Sequence, residues 1–278
     1  MYNMNFVFNA IVWDPNIAPF SIFGFGIRYY SICWLVGLLV GYLIVKKVYI
    51  KEKIDLDKFE PLFFYCFIGI LLGARLGHCL FYQPEYYLSH PIEMLLPIKE
   101  TATGWVFSGY EGLASHGGVA GVIISLILYT RKTKLTMVKT LDMLAVAAPF
   151  TAAMIRLGNF MNSEIIGNVT DAPWGVVFVQ AGEVLPRHPA QLYEAIAYII
   201  IFVFGLLLYK KNIGKAGTGL FMGYCLSTIF TFRFFVEFIK EEQVNFEEGM
   251  PLVMGQLLSI PLIVAGIYYL VKGIRTNK

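Results

Sequence analysis

The chain has 278 residues, 57% of them hydrophobic and 15% charged, with a formal net charge of +3. A soluble domain of this length carries about a quarter charged residues, so the composition, with a mean hydropathy of +0.64, excludes an ordinary soluble globule. The small net charge, and the lack of a basic run interleaved with aromatics, exclude a nucleic-acid partner.

In chain order, the first stretch, MYNMNFVFNAIVWDPNIAPF, has no basic leader and no small-residue cleavage site. It reads as an ordered segment at a membrane surface rather than a signal peptide. About 20 mainly apolar residues span a bilayer, and seven stretches meet that requirement: Tyr29–Val48, Leu62–Tyr82, Leu113–Tyr129, Leu141–Phe160, Leu192–Tyr209, Gly217–Phe238 and Val253–Val271. The expected fold is an all-α polytopic membrane protein of seven transmembrane helices. The four cysteines, Cys33, Cys66, Cys79 and Cys225, fall in apolar stretches and form no C-x-x-C pair. They read as small buried hydrophobes rather than metal ligands or disulfide partners.

Basic residues follow every second span. Lys46, Lys47, Lys51, Lys53 and Lys58 come after the first, Arg131, Lys132, Lys134 and Lys139 after the third, Lys210, Lys211 and Lys215 after the fifth, and Lys272, Arg275 and Lys278 after the seventh. Fifteen of the 22 Lys and Arg thus lie on one side, which the positive-inside rule assigns to the cytoplasm. The N-terminus is then outside and the C-terminus inside. The intervening loops, about 83–112, 161–191 and 239–252, are poor in Lys and Arg and are expected to form a small extracytoplasmic cap. Residues 1–278 show no internal repeat and no linker, so they read as a single integral membrane domain.

Charges at membrane depth are functional by default. Three arginines qualify: Arg75 in LLGARLGHCLFY, Arg156 in AAMIRLGNF and Arg233 in IFTFRFFVEF. Threading puts each in the outward half of its span, at the level of His116 and Tyr30 on two inward-running spans. The polar cluster therefore lies at outer headgroup depth, not at the midplane where transport sites usually lie. In RLGNFMNSEIIG, Arg156 offers a planar fork suited to phosphate. Asn159 and Asn162 can bond phosphate or hydroxyl oxygens, Glu164 can orient an arginine, and Gly158 and Gly167 permit close approach. SHGGVAG sets His116, which can exchange a proton near neutral pH, beside small residues. Arg233 and Glu237 stand at i, i+4 and share a helix face. His188, Gln191 and Tyr193 of RHPAQLYEA can face the same site. The structural alternatives are snorkelling or paired arginines, an ordinary polar helix end, and interfacial anchoring.

Taken together, these stretches resemble the phosphatidylglycerol–prolipoprotein diacylglyceryl transferases of bacterial membranes. RLGNFMNSEIIG is similar to that family's R-x-G-N-F-x-N-x-E-x-x-G. The LGARLG, the histidine–glycine–glycine, the HPAQLYE and the MGQLLSIPLIVAG occur in the family's order. The resemblance implies a seven-span transferase of the bacterial plasma membrane with its active site on the extracytoplasmic side. Such an enzyme moves a diacylglyceryl group from phosphatidylglycerol to the lipobox cysteine of a prolipoprotein signal peptide, without metal or organic cofactor. The resemblance implies functional roles for Tyr30, His116, Arg156, Asn159, Glu164, Gly167, Arg233 and Glu237. With Asn162 and Arg75 added from the reading of the residues, His116, Tyr30 and Arg233 are expected to be catalytic and the others to bind lipid, Arg75 either touching lipid or holding the site together. Two positions depart from the family: Lys240 stands where an arginine is common, and His78 where tyrosine is common. The competing readings are a lipid transporter or flippase with an arginine-lined path, and a non-catalytic lipid-binding protein.

Overall fold

The computed structural model describes residues 10–22, 25–101, 104–107, 112–241 and 251–276. In chain order they form strands β1 (Ile11–Trp13), β2 (Phe20–Ile22) and β3 (Phe25–Ile27) and helices α1 (Tyr29–Lys51), α2 (Phe59–Phe81), α3 (Pro84–Ser89) and α4 (Pro91–Leu95). Strands β4 (Ile98–Thr101) and β5 (Gly104–Phe107) follow, then α5 (Ser115–Thr133), α6 (Met137–Ala145), α7 (Ala148–Met161), β6 (Val176–Phe178), α8 (Ala190–Lys211), α9 (Leu220–Val236) and α10 (Met254–Arg275). The chain divides into two compact units, one of residues 1–52 and 141–278 and the other of residues 53–140.

Among the described residues, five helical segments are long and apolar enough to cross a membrane: α1, α2 with the short turn before it, α8, α9 with the turn after it, and α10. The pair α6 and α7 adds a sixth if it is one broken span. Between 17% and 33% of the residues in each of the five apolar runs are buried inside the protein. Leu39, Phe64, Phe204 and Val264 point outward and are exposed. A soluble helix turns such a face inward, so the mostly helical protein presents its apolar surface to lipid. α5 does not reach the same apolarity, because His116 and the glycines dilute one end and Arg131 and Lys132 the other. The sequence expectation of seven spans therefore stands at five or six here.

The bend between α6 and α7 is 53°. Pro149 lies in the first turn of α7. It has no N–H to give, and its ring clashes with the carbonyl four residues earlier, Ala145, where α6 ends. The expected single helix Leu141–Phe160 is thus broken at a place proline dictates.

Within the second unit, α2 and α5 meet backbone to backbone. A Cβ added at Gly73 would lie 2.3 Å from the Gly117 carbonyl oxygen, and one at Gly121 would lie 2.0 Å from that of Gly69. Small residues on both faces permit this approach, which is how helices gain packing energy where no hydrophobic effect drives them together. In the first unit, α9 and α10 meet the same way at Gly223 and Gly273.

Segments outside the long helices depart from the all-helical expectation. β1 pairs in parallel with β6, while β2–β3 and β4–β5 are antiparallel pairs. β6 is VVF, all three residues buried, a sequence that favours extended backbone. Its Phe178 packs with Phe160, Ile166 and Trp13 in a small core. Residues 1–9 of the expected surface segment, and 242–250, 102–103 and 108–111 of the expected cap, lie outside the described residues.

The α8–α9 loop is held by two acids from other segments. The buried Asp142 carboxylate of α6 accepts from the backbone N–H of Gly217 (2.9 Å), Gly219 (2.8 Å) and Met222 (2.8 Å). Glu52, just past α1, accepts from Gly214 (2.9 Å) and Ala216 (3.4 Å).

Gly73→Val is expected to force α2 and α5 apart. Its cost should exceed the roughly 1–3 kcal/mol of ordinary overpacking, seen as a lower thermal midpoint in detergent. Gly182→Ala is the control: no atom lies within 4 Å of its added Cβ, so only its left-handed φ of +78° resists. It should shift the midpoint far less.

Candidate functional site

Three segments of the first unit converge. They are the turn after α7, the lead-in to α8, and the end of α9. Backbone bonds join them: Gly167 N–H donates to His188 O (2.9 Å), Asn168 N–H to Ile239 O (2.8 Å), and Gly167 faces Lys240 in an antiparallel bridge. A Cβ at Gly167 would lie 2.6 Å from His188 Cβ and 2.7 Å from Ile239 O. Any other residue would pry the segments apart.

The charges sit on this frame. Glu194, in the second turn of α8, is fully buried. Its Oε2 lies 3.2 Å from Arg156 Nε and 3.1 Å from Lys240 Nζ, and its Oε1 accepts from Tyr198 OH at 3.0 Å. Lys240, 4% exposed, also reaches Glu237 Oε2 at 3.3 Å. Glu237 Oε1 in turn holds Arg233 Nη2 at 3.2 Å. The result is a chain of alternating charge: Arg156, Glu194, Lys240, Glu237, Arg233. Burial holds Lys240 below the usual lysine range, against the smaller upward pull of Glu194 and Glu237. Arg233, with its side chain 32% exposed, is the most open cation in the chain. A Cβ at Gly255, in the first turn of α10, would lie 2.2 Å from Glu237 Oε1, so that glycine makes room for the carboxylate.

Beside the ion pairs runs a polar turn. Arg156 Nη1 donates to Asn159 Oδ1 (3.4 Å), and Asn159 Nδ2 donates to Glu164 Oε2 (3.3 Å). Asn162 Nδ2 donates to Glu164 Oε1, and Gln191 Nε2 to the Glu164 carbonyl. The turn holds Ser163 at φ 55° and Ile165 at φ 58°. Left-handed backbone at a β-branched residue is strained, and such strain collects at functional sites. Tyr30, in the first turn of α1, lies against α7 where Gly158 leaves space: a Cβ there would be 2.8 Å from Tyr30 Cδ2. His188 bonds Tyr193 OH through Nδ1 (3.1 Å), and that hydroxyl accepts from Trp174 Nε1 (2.7 Å). Burial lowers the His188 pKa, which favours its neutral ring.

Of the residues expected from sequence, the first unit brings together Tyr30, Arg156, Asn159, Asn162, Glu164, Gly167, Arg233 and Glu237. Arg75, His78 and His116 belong to the second unit. Arg75 is 5% exposed, its Nη2 donates to Glu93 O (2.6 Å) and its Nε to Met94 O (3.2 Å), and its Cζ stands 4.7 Å from the Tyr87 ring centroid. It ties α2 to α4. His78 stacks on Tyr82 and meets Tyr87 edge-on. His116 is exposed in the first turn of α5. The residue that sequence reasoning passed over is Glu194. Its signal was present: it is an acid inside the apolar run of α8, as anomalous there as the arginines.

These features define a multi-pass helical membrane protein in which Arg156, Lys240 and Arg233 are each paired with a carboxylate near the helix ends. Residues 18–272 match the profile of the family described as prolipoprotein diacylglyceryl transferase. The chain is 58% identical over 268 residues to a phosphatidylglycerol–prolipoprotein diacylglyceryl transferase of Bacteroides fragilis, covering 96% of each chain. It is 41% identical to the Porphyromonas gingivalis protein of that name and 39% identical to the Chloroherpeton thalassium one, in both cases over 95% of each chain. The chain belongs to the prolipoprotein diacylglyceryl transferase family.

Glu194→Ala leaves two buried cations without their shared partner. Breaking a buried pair in this way costs about 3–5 kcal/mol, so a large fall in the thermal midpoint is expected; an unchanged midpoint would show the pairing to be incidental. Lys240→Arg keeps the charge between Glu194 and Glu237 and should preserve most of the stability that Lys240→Met loses.

Proposed function

We propose that this protein transfers the diacylglyceryl group of phosphatidylglycerol to the thiol of a lipobox cysteine in a prolipoprotein signal peptide. The observation that carries the reading is the row of ion pairs from Arg156 to Arg233, set within a chain that matches the family over residues 18–272. In the reaction the cysteine thiolate attacks the lipid's glycerol carbon next to the phosphate. A C–S bond forms, the C–O bond breaks, and its electron pair leaves on glycerol phosphate.

Two tasks follow for the protein. The first is to take the thiol proton, because only the thiolate is a good nucleophile. We assign this to His116, whose exposed ring is open to substrate, with Tyr30 as a relay or positioning group. The second is to stabilise charge on the departing phosphate. Arg156 and Arg233 do this, because donors already fixed by Glu194 and Glu237 need no reorganisation as the charge develops. Asn159, Asn162, Glu164 and Gly167 shape the headgroup site around them. Arg75 is kept as a lipid-binding residue of the second unit, where its bonds to the carbonyls of Glu93 and Met94 also hold α4 to α2.

The topology belongs to the same reading. α5 crosses as the seventh span, shielded along its glycine face by α2, and the lysine-rich ends of α1, α5, α8 and α10 face the cytoplasm. The site then opens on the extracytoplasmic side of the bacterial plasma membrane.

Purified protein incubated with phosphatidylglycerol and a lipobox peptide should add a diacylglyceryl mass to the cysteine. Folded protein that forms no product would refute the reading. His116→Gln is expected to lower turnover by about 10²–10⁴-fold, the typical contribution of a positioned base. Arg156→Lys should lose on the order of 10²-fold or more, because an ammonium cannot reproduce the guanidinium fork; near-normal turnover in either variant would remove that residue from its role.

A further inference from the structure

Lys240 has no part in the reaction as given above, yet it occupies the middle of the row. It follows the turn that ends α9, in extended backbone at φ −83° and ψ 150°. Its segment is fixed on both sides: Lys240 faces Gly167 in an antiparallel bridge, and the next N–H, of Glu241, donates to Ile166 O (3.3 Å). The side chain is 4% exposed, and its ammonium lies 3.1 Å from Glu194 Oε2 and 3.3 Å from Glu237 Oε2. What this enclosed nitrogen touches is the pair of acids that hold Arg156 and Arg233.

The row contains Arg156, Lys240 and Arg233 against Glu194 and Glu237, so its cations exceed its acids by one. Loss of one proton cancels that excess, and Lys240 is the member that can lose it. Guanidinium groups stay protonated, as would the arginine common at this position in the family. With the amine neutral, Glu194 and Glu237 face each other across one nitrogen with no charge between them. Each then draws its own arginine closer, and guanidinium donors turned onto carboxylates are lost to a phosphate.

The surroundings of Lys240 set how readily it gives up the proton. Burial favours the loss, Glu194 of α8 and Glu237 beyond α9 oppose it, and the like charges of Arg156 on α7 and Arg233 on α9 favour it. The other ionisable groups nearby are already engaged. Tyr198 of α8 bonds Glu194, and Glu164 of the turn after α7 accepts from Asn159 and Asn162. On the lead-in to α8, His188 bonds Tyr193, and Arg187 is paired with Glu183 and Glu241.

We propose that Lys240 is a positioning residue: its proton keeps Glu194 and Glu237 in place, holds Arg156 and Arg233 open to the phosphate, and by its loss sets an alkaline limit to turnover that an arginine at this position would remove. The proposal rests on the transfer reaction given above. The contribution is full at neutral pH and disappears as pH rises through the titration of Lys240, below the range of an exposed lysine.

Two measurements test it. First, kcat/KM for phosphatidylglycerol, with a lipobox peptide as acceptor, is followed from about pH 7 to pH 10, short of the titration of an exposed lysine. The proteins are native, Lys240→Arg and Lys240→Met, and thermal midpoints show which are folded at each pH. The quotient reports titrations of the free enzyme, and ionisation of the acceptor thiol, common to all three, cancels in their ratios. The ratio of native to Lys240→Arg should stay level near neutral pH and fall about tenfold by pH 10. Lys240→Met, with no charge to lose, should run parallel to Lys240→Arg at a lower level; if it does not fold, the first ratio decides alone. A level ratio throughout would overturn the proposal. So would a folded Lys240→Arg that is inactive at neutral pH, since the ammonium would then act on the substrate itself.

Second, binding of dihexanoyl-phosphatidylglycerol without peptide is measured by isothermal titration at both ends of the pH range. Affinity should fall with rising pH in the native protein and hold in Lys240→Arg; an equal fall in both would overturn the proposal. Binding needs no turnover, so the two readings fail separately. A fall confined to native protein that transfers nothing would reject the reaction and keep the role of Lys240. Transfer with a level ratio would keep the reaction and reject that role.

Discussion

A single carboxylate, Glu194, ties the first unit together. It reaches Arg156 on α7, Lys240 beyond α9, and Tyr198 one turn along its own helix. A charge buried this deeply is tolerable only when paired, and here each charge in the row lies within 3.3 Å of an opposite one. The glycines nearby have the same purpose. Gly167 lets three segments close around Lys240, and Gly255 makes room for Glu237. The outcome is a row of cations whose positions are settled before any ligand arrives. That matters for a reaction whose difficulty is a departing phosphate: donors fixed in a site shielded from water stabilise developing charge more than mobile ones.

The polar turn beside this row shows the opposite tendency. Ser163 and Ile165 occupy left-handed backbone, and the Oγ of Ser163 and Oε1 of Gln191 are buried without a hydrogen-bond partner among the described residues. A stability-optimised turn would place glycine at 163 and 165 and satisfy those atoms. What the strained turn achieves is convergence: both Asn162 and Asn159 reach Glu164, and Glu164 stays off the arginines. The site is therefore rigid in its charges and strained in its backbone, as expected where function rather than stability selects the sequence.

Most of the helical plan was legible in the sequence, because membrane spans announce themselves by length and apolarity. Arg156 and Arg233 were legible for the converse reason, as charges in the wrong solvent. Three features escaped. The break before α7 was readable from Pro149, but hydropathy averages across it. Glu194 was overlooked because attention to cations did not extend to the acids that must neutralise them. The strands of the cap depend on pairing between distant segments, β1 with β6 above all, and periodicity carries no information about that.

The clamp at the other end of α9 bears on how the protein is made. Asp142 and Glu52 belong to segments synthesised well before the loop they hold. The N–H groups of the α8–α9 loop and the start of α9 therefore depend on carboxylates that precede them in the chain. The order in which those partners are synthesised is thus the order in which the loop can be satisfied.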